Sequence, residues 1–349
     1  MKPSIWFVEG LSSQREILQL AKQVVGDKGQ VLASHRQLRP EILSVADWGF
    51  IEPESDHQRL QIITETVAKF QVKAIVAGRN CQWFEQHRRQ IEQTGTRVIT
   101  GATSLATHQL ADDKLRFAEL MAGYQLPVVP AILIEEAGEL RRQLALRPFG
   151  DAAVCIKPVT GIYGMGFWRF DDNCSPMACF SSPEQRRVSP NIYLQILEQA
   201  PLTAPMMLMP YLPGPEYSVD MLVEQGRVIA AVGRRKQDGC QYLENQGPAI
   251  DLARHCARIL QADGLVNVQT RNDSRAKPVL LEINLRPSGG IGYTRHSGVN
   301  LPGLLTLRQL SLVTQSQAEA MALQAFSPAT VRAISDSVNV TGLQFPAIP

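Results

Sequence analysis

The sequence predicts an α/β portion at the amino terminus, followed by an α+β portion dominated by antiparallel sheet. Three observations carry this expectation. Over the first hundred residues, short β-rich runs alternate with helical ones, the order that builds a parallel sheet covered on both faces. After about residue 105, strands follow one another through tight polar turns, the order of antiparallel sheet with packed helices. The 349 residues, 44% of them hydrophobic, suffice for two or three domains with ample interiors. The expected divisions are 1–105, 106–205 and 206–349.

The amino-terminal elements read in order. Ser4–Val8 is a strand, and Ser12 or Ser13 caps a helix to about Val25. Gln30–Ala33, Ala46–Ile51, Ala74–Ala77 and Arg97–Thr100 are further strands, with helices near 56–70 and 82–94. The shape is Rossmann-like, but the first strand-to-helix turn reads VEGLSSQ, so the glycine fingerprint of dinucleotide binding is missing. Asp112 or Asp113 then caps a helix to Met121, closed by Gly123 and stopped by Pro127. Further helices are expected near 136–146, 191–199, 247–262 and 302–313, and the last twenty or so residues are weakly patterned.

Charge and cysteine usage exclude several classes. With 35 Lys+Arg against 33 Asp+Glu the net charge is +2, and no basic stripe points to nucleic acid. No apolar run approaches the ~20 residues that span a bilayer. The five-residue apolar stretch in MKPSIWFVEG is too short for a signal-peptide core. A soluble, cytoplasmic protein is expected. Cys81, Cys155, Cys174, Cys179, Cys240 and Cys256 are scattered without a CxxC pair, so packed free thiols are expected rather than a disulfide framework or zinc site.

Three stretches carry candidate chemistry. Leu265–Arg271 and Val279–Arg286 read as a hairpin. Alternation puts Glu282, Asn284 and Arg286 on one face, with Asn267 and Gln269 opposite or diagonal to Glu282. Such a face offers oxygen ligands to a hard cation and, in Arg286, a fork donor for phosphate or carboxylate; the alternative is a solvated outer surface. In CIKPVTGIYGMGFWRF (155–170), a strand ending in Lys157-Pro158 enters a loop with Gly161, Gly164 and Gly166 and returns as Phe167–Phe170. This is either a flap whose backbone approaches phosphate or an ordinary glycine-rich turn. In residues 206–236, an apolar strand enters a Pro/Gly-bounded linker. The next strand aligns Glu216, Ser218 and Asp220, and Arg234, Arg235 and Lys236 close the one after it, where at least one could reach a phosphate.

Together and in this order the three stretches resemble the ATP-grasp superfamily, nearest to its carbamoyl-phosphate-synthase-like, carboxylate–amine ligase branch. The resemblance covers nearly the whole chain: the amino-terminal domain, ADDKLRFAELMAGYQLPVVP, IKPVTGIYGMG, YLPGPEYSVD and NVQTRNDSRAKPVLLEINLRPSGG. It implies a Rossmann-like pre-ATP-grasp domain and a two-lobed ATP-grasp fold with antiparallel sheets. Lys114 and Lys157 would contact nucleotide phosphates, beneath a flap at Gly161–Gly166. The Pro210 carbonyl and Leu212 N–H would meet adenine, and Glu216 the ribose. Gln269, Glu282 and Asn284 would hold Mg²⁺, with Mn²⁺ as a substitute, and Arg286 and Arg234 would steady the transferred phosphate. Ser288, Gly289 and Gly290 would lie nearest the reacting carboxylate, with His296 in the same segment. Two positions depart from the family pattern: Met209 stands where many members carry an acidic or polar residue, and Gln269 rather than Glu occupies the first metal position.

The activity implied is ATP-dependent joining of a carboxylic acid to an amine or ammonia, with ADP and phosphate released. Its partners are small molecules, neither nucleic acid nor membrane, and a homo-oligomer is left open. The alternatives are a bicarbonate-activating carboxyphosphate or carbamoyl-phosphate enzyme and a nucleotide-binding regulator without turnover.

Overall fold

The computed structural model describes residues 2–10, 12–161, 164–200, 202 and 204–347. Two compact units emerge. The first comprises Met1–His108, Pro215–Thr270 and Ile283–Pro349, the second Gln109–Gly214 and Arg271–Glu282.

The first unit opens with strands β1 (Ser4–Phe7), β2 (Gln30–His35), β3 (Trp48–Ile51), β4 (Val72–Val76) and β5 (Arg97–Ile99), all parallel and ordered β3-β2-β1-β4-β5. Alternation splits its side chains between two cores. Ile5, Phe7, Val31, Ala33, Ala74 and Val76 enter one, and Trp6, Val8, Leu32 and Ile75 the other. The second core is closed by the helix Asp56–Phe70, whose cap Ser55 accepts from Gln58 N–H at 3.3 Å. The first core is shared with the unit's other sheet, through Leu222, Val232, Leu243 and Leu265, and with the helices Gln14–Val25 and Leu301–Gln309.

The second unit contains β6 (Ile132–Ile134), β7 (Val154–Pro158), β8 (Trp168–Phe170), β9 (Arg187–Val188) and β10 (Met206–Pro210), ordered β6-β10-β7-β8-β9. Ile156 and Leu208 point to a core closed by the helices Ala137–Leu146 and Pro190–Gln199. Cys155, Met207 and Met209 point the other way, forming an apolar floor with Val129, Val159 and Tyr211. The remaining sheet is ordered β15-β14-β11-β12-β13-β16, with β11 (Glu216–Glu224), β12 (Arg227–Gln237), β13 (Cys240–Glu244), β14 (Gly264–Asn272), β15 (Pro278–Asn284) and β16 (Ala329–Val331).

The mixed α/β architecture with antiparallel sheets follows the sequence reading, with local corrections. Ser13 precedes the helix Gln14–Val25, but its side chain makes no capping bond. The helix expected over 82–94 is two, Cys81–Gln86 and Arg88–Glu92, parted at His87, whose Nδ1 lies 2.9 Å from the Trp83 carbonyl. Parallel pairing of β8 with β9 interrupts the antiparallel pattern. Helices Leu105–Asp112 and Gln315–Ala325 were not foreseen. The tail is irregular but anchored: the Pro346 carbonyl accepts from Gly49 N–H at 2.8 Å, and Phe345 packs on the core. Arg286 lies beyond the end of β15, in a bend, so strand alternation does not set its direction. Among the described residues no helix is long and apolar enough to cross a membrane.

Candidate active site

In the second unit, two lysines surround one carboxylate. Asp113 caps the helix Lys114–Gly123, accepting from the N–H groups of Leu115 and Arg116 at 3.1 Å each, and so fixes Lys114 at its first position. A cation there opposes the helix dipole, and the structure supplies the compensation. Lys114 Nζ donates to the carbonyls of Gly161 at 3.1 Å and Val159 at 3.4 Å, and lies 3.7 Å from Glu282 Oε2. Lys157, on β7 opposite Met207 of β10, places its Nζ 4.0 Å from the same oxygen. One negative charge faces two positive ones, a local excess suited to an anion. The loop beginning at Gly161 places Gly161, Gly164 and Gly166 at positive φ; residues 162 and 163 lie outside the described residues. No helix follows it, as the sequence implied.

The apolar floor adjoins these lysines along the strands, Cys155 lying two residues before Lys157 and pairing with Met209. Burial pushes the Cys155 thiol up to about 12, so it is a packing group rather than a nucleophile. In the linker after β10, Tyr211 N–H donates to the Ala153 carbonyl at 2.6 Å, whereas Leu212 N–H donates to no described residue. The Tyr211 ring is flanked by the guanidiniums of Arg169 and Arg271, 4.5 and 4.8 Å from its centre, and its hydroxyl accepts from Arg271 Nη2 at 2.8 Å. These arginines were not singled out from the sequence, where nothing pairs them with a tyrosine 42 or 60 positions away.

In the first unit, Arg234 is buried and four of its five N–H groups are engaged. Its Nε donates to Asp220 Oδ2 at 2.7 Å, Nη1 to Gln241 at 2.7 Å, and Nη2 to the hydroxyls of Ser218 at 3.0 Å and Ser288 at 2.9 Å. Asn267 Nδ2 donates to the second oxygen of Asp220 at 2.9 Å. Strand pairing explains the cluster: Ser218 stands opposite Arg234 in the β11–β12 register, and Asp220 follows on the same face. Ser288 also accepts from Gly290 N–H at 3.2 Å, and a Cβ on Gly290 would stand 2.6 Å from Arg234 Nη1. Arg234 therefore shapes the Ser288–Gly290 turn rather than presenting a free charge. Gly289 and His296 are exposed. Glu216 is paired with Lys236, and Arg235 with Glu244. Among the described residues Arg286, half-buried, has no hydrogen-bond or ion-pair partner.

Gln269 lies on β14, and Glu282 and Asn284 share a face of β15. Among the described residues no three His, Cys, Asp or Glu side chains cluster to hold a metal. A carboxylate or amide oxygen suits an oxygen-seeking cation whose remaining ligands are phosphate and water, not a cage supplied wholly by protein.

Residues 203–335 match the family model described as ATP-grasp in the biosynthetic pathway with Ter operon. Solved structures share the fold at low sequence identity. The L-amino acid ligase from Bacillus licheniformis is 14% identical with a TM-score of 0.58, over 89% of this chain and 74% of that one. The N5-carboxyaminoimidazole synthetase from Staphylococcus aureus complexed with ADP is 14% identical, TM-score 0.59, over 95% and 82%. The biotin carboxylase from Campylobacter jejuni is 16% identical, TM-score 0.59, over 90% and 72%. No curated protein matches the sequence. The family match covers the carboxy-terminal part of the chain, and the fold of these solved structures is shared over most of its length.

Proposed function

We propose that the chain is an ATP-dependent carboxylate–amine ligase that forms ADP. The observation that carries this reading is the convergence of Lys114 and Lys157 on Glu282, beside the glycine loop and the apolar floor. In this reading residues 1–105 are the Rossmann-like pre-ATP-grasp domain, 106–205 the small lobe with its flap, and 206–349 the large lobe. Adenine lies against Cys155, Met207 and Met209, meeting the Pro210 carbonyl and the orphan Leu212 N–H, with Glu216 at the ribose. Lys114 and Lys157 take the phosphates. Glu282, Asn284 and Gln269 hold Mg²⁺, or Mn²⁺ in its place, which supplies charge neutralisation at the phosphate oxygens.

A carboxylate oxygen of the substrate attacks the terminal phosphorus, and the bond to the bridging oxygen breaks to release ADP. The amine nitrogen then attacks the acyl carbon, phosphate departs, and the nitrogen gives up a proton to leave an amide. Arg286, without a hydrogen-bond or ion-pair partner among the described residues, neutralises the phosphoryl group. Arg234 acts as a positioning residue through Ser288, setting the Ser288–Gly290 turn beside the carboxylate, with His296 further along the segment. Work of this kind is positioning and charge neutralisation, with no protein nucleophile required. A cytoplasmic site of action and small-molecule partners belong to the same proposal.

Two of the three structural relatives bear names of carboxylating enzymes, which favours bicarbonate as a second candidate for the activated carboxylate. Bicarbonate-stimulated phosphate release, in the absence of any other acid, distinguishes that case.

The test of the nucleotide site is Lys157→Ala. It removes a charge-assisted contact of ~1.5–3 kcal/mol, so Mg·ATP affinity measured by calorimetry falls ten- to a hundredfold. A folded variant that binds as well as the parent overturns the phosphate assignment.

A further inference from the structure

The amino-terminal parallel sheet carries a charged cluster that the nucleotide site does not use. In the order β3-β2-β1-β4-β5 the chain leaves β1 toward β2 on one side, and β4 lies on the other. A crevice forms outside the carboxyl ends of strands at such a reversal. Glu9 and Gly10 follow β1 there, Arg36 follows β2, and Gly78 and Arg79 follow β4. The two strand exits run in contact. Arg79 N–H donates to the Glu9 carbonyl at 2.7 Å, and a Cβ on Gly78 would stand 2.6 Å from that carbonyl oxygen and from Gly10 Cα.

Glu9 is buried, its side chain 4% exposed, and two guanidiniums share it. Arg36 donates through Nε to Oε2 and through Nη2 to Oε1 at 3.3 Å, and Arg79 Nη1 donates to Oε1 at 3.4 Å. Burial pushes the Glu9 carboxyl up, but hydrogen bonding from Arg36 and the charges around it outweigh this and hold it low, so Glu9 stays ionised. Both arginine heads reach solvent, with side chains 39% and 56% exposed. Nη1 of Arg36, and Nε and Nη2 of Arg79, donate to no described residue. The neighbouring acid Glu52 adds its charge to the field at Arg36 but makes no hydrogen bond to it: it accepts from Ser34 Oγ at 2.7 Å and Glu9 N–H at 3.2 Å and lies 3.8 Å from Arg59. Burial pushes His35 down, which keeps it neutral at pH 7. The crevice therefore carries two solvent-reaching guanidiniums with a set of unused donors.

It also borders the turn that Arg234 shapes. Gly10, Gln14 and Gly78 line the same small cavity as Pro287, and Ser12 Oγ lies 3.0 Å from the position a Cβ on Gly289 would take.

We propose that Arg36 and Arg79, gripped by Glu9 at this reversal point, bind the non-reacting anionic group, carboxylate or phosphate, of a small-molecule substrate. Glu9 fixes both guanidiniums in advance, so little freedom is lost when the anion engages their remaining N–H groups. The word substrate rests on the ligase reading; the anion site itself rests on the crevice.

The test is calorimetric titration of the full chain with inorganic phosphate and, separately, succinate. Mg²⁺ and the non-hydrolysable nucleotide AMP-PNP are present to fill any γ-phosphate position. At least one of the two anions should bind. Arg79→Ala, which leaves Arg36 to pair with Glu9, should weaken that anion about tenfold, and Arg79→Lys by less. The preferred anion distinguishes a phosphate ester from a second carboxylate. Absence of binding by both, or binding indifferent to Arg79→Ala, overturns the proposal. If AMP-PNP binds normally in that case, the ligase reading survives. If anions bind as expected and AMP-PNP does not, the ligase reading falls and the anion site stands.

Discussion

Glu282→Gln lowers Mg²⁺-dependent phosphate release about a hundred- to a thousandfold, the scale of removing one preorganised electrostatic contact at a developing charge. The substitution keeps the shape and removes the charge. Lys114 and Lys157 lie 3.7 and 4.0 Å from the Glu282 carboxylate, so its loss leaves two ammonium groups facing each other across a neutral amide. A cation that seeks carboxylate oxygen loses its only charged protein ligand in the proposed set. The melting temperature changes little, because the side chain is 22% exposed and both lysines reach water or, for Lys114, backbone carbonyls. A lowered melting temperature with normal Mg²⁺-dependent turnover would mark Glu282 as structural and return this hairpin to an ordinary surface.

Asp220→Ala destabilises the first unit by about 3–5 kcal/mol, the typical cost of stranding one half of a buried ion pair. Asp220 is fully buried and Arg234 is 3% exposed. Without the carboxylate, the guanidinium keeps only neutral partners, Ser218, Gln241 and Ser288, and Asn267 loses an acceptor. Against a usual total stability of ~5–15 kcal/mol this is a large fraction. It is read as a lower denaturant midpoint, with Asp220→Asn giving a smaller drop because one acceptor oxygen survives. An unchanged midpoint would mean that Arg234 is not held as described, and its hold on the Ser288–Gly290 turn would go with it.

What the sequence disclosed follows from periodicity. Alternation is local, so the shared faces of Glu282 with Asn284 and of Ser218 with Asp220 are legible before any fold is known. The helix Asp56–Phe70 was legible because Ser55 and an apolar stripe mark it. Whatever depends on distant segments was not. Arg234 reads as a basic strand end, and only the meeting of β11, β12, β14 and the Ser288 turn reveals that it is buried and held by Asp220 and Ser288. The cradle of Lys114 is made by carbonyls 45 and 47 residues away. Alternation does not reach Arg286: the chain leaves β15 at Asn284, and Pro287 has no N–H to give a ladder. The helix Gln315–Ala325 lacks a strong apolar stripe, but its capping box, Thr314 with Gln317, was there to be read. The pairing of Glu9 with Arg36 and Arg79 needs three separate strand ends, which no local pattern joins.

The central claim is that a carboxylate is activated by the terminal phosphate of ATP. The flap, Lys114, Lys157, Glu282 and Arg286 are all assigned to that phosphate, and an acyl phosphate made there must be shielded from water until the amine arrives. The direct measurement supplies Mg·ATP and a panel of carboxylic acids, with bicarbonate as one member, and replaces the amine by hydroxylamine. With the correct acid, a hydroxamate should accumulate with one ADP and one phosphate per molecule trapped, and Glu282→Gln should abolish it. AMP and pyrophosphate among the products would contradict the account and place the chain with enzymes that activate carboxylates as adenylates.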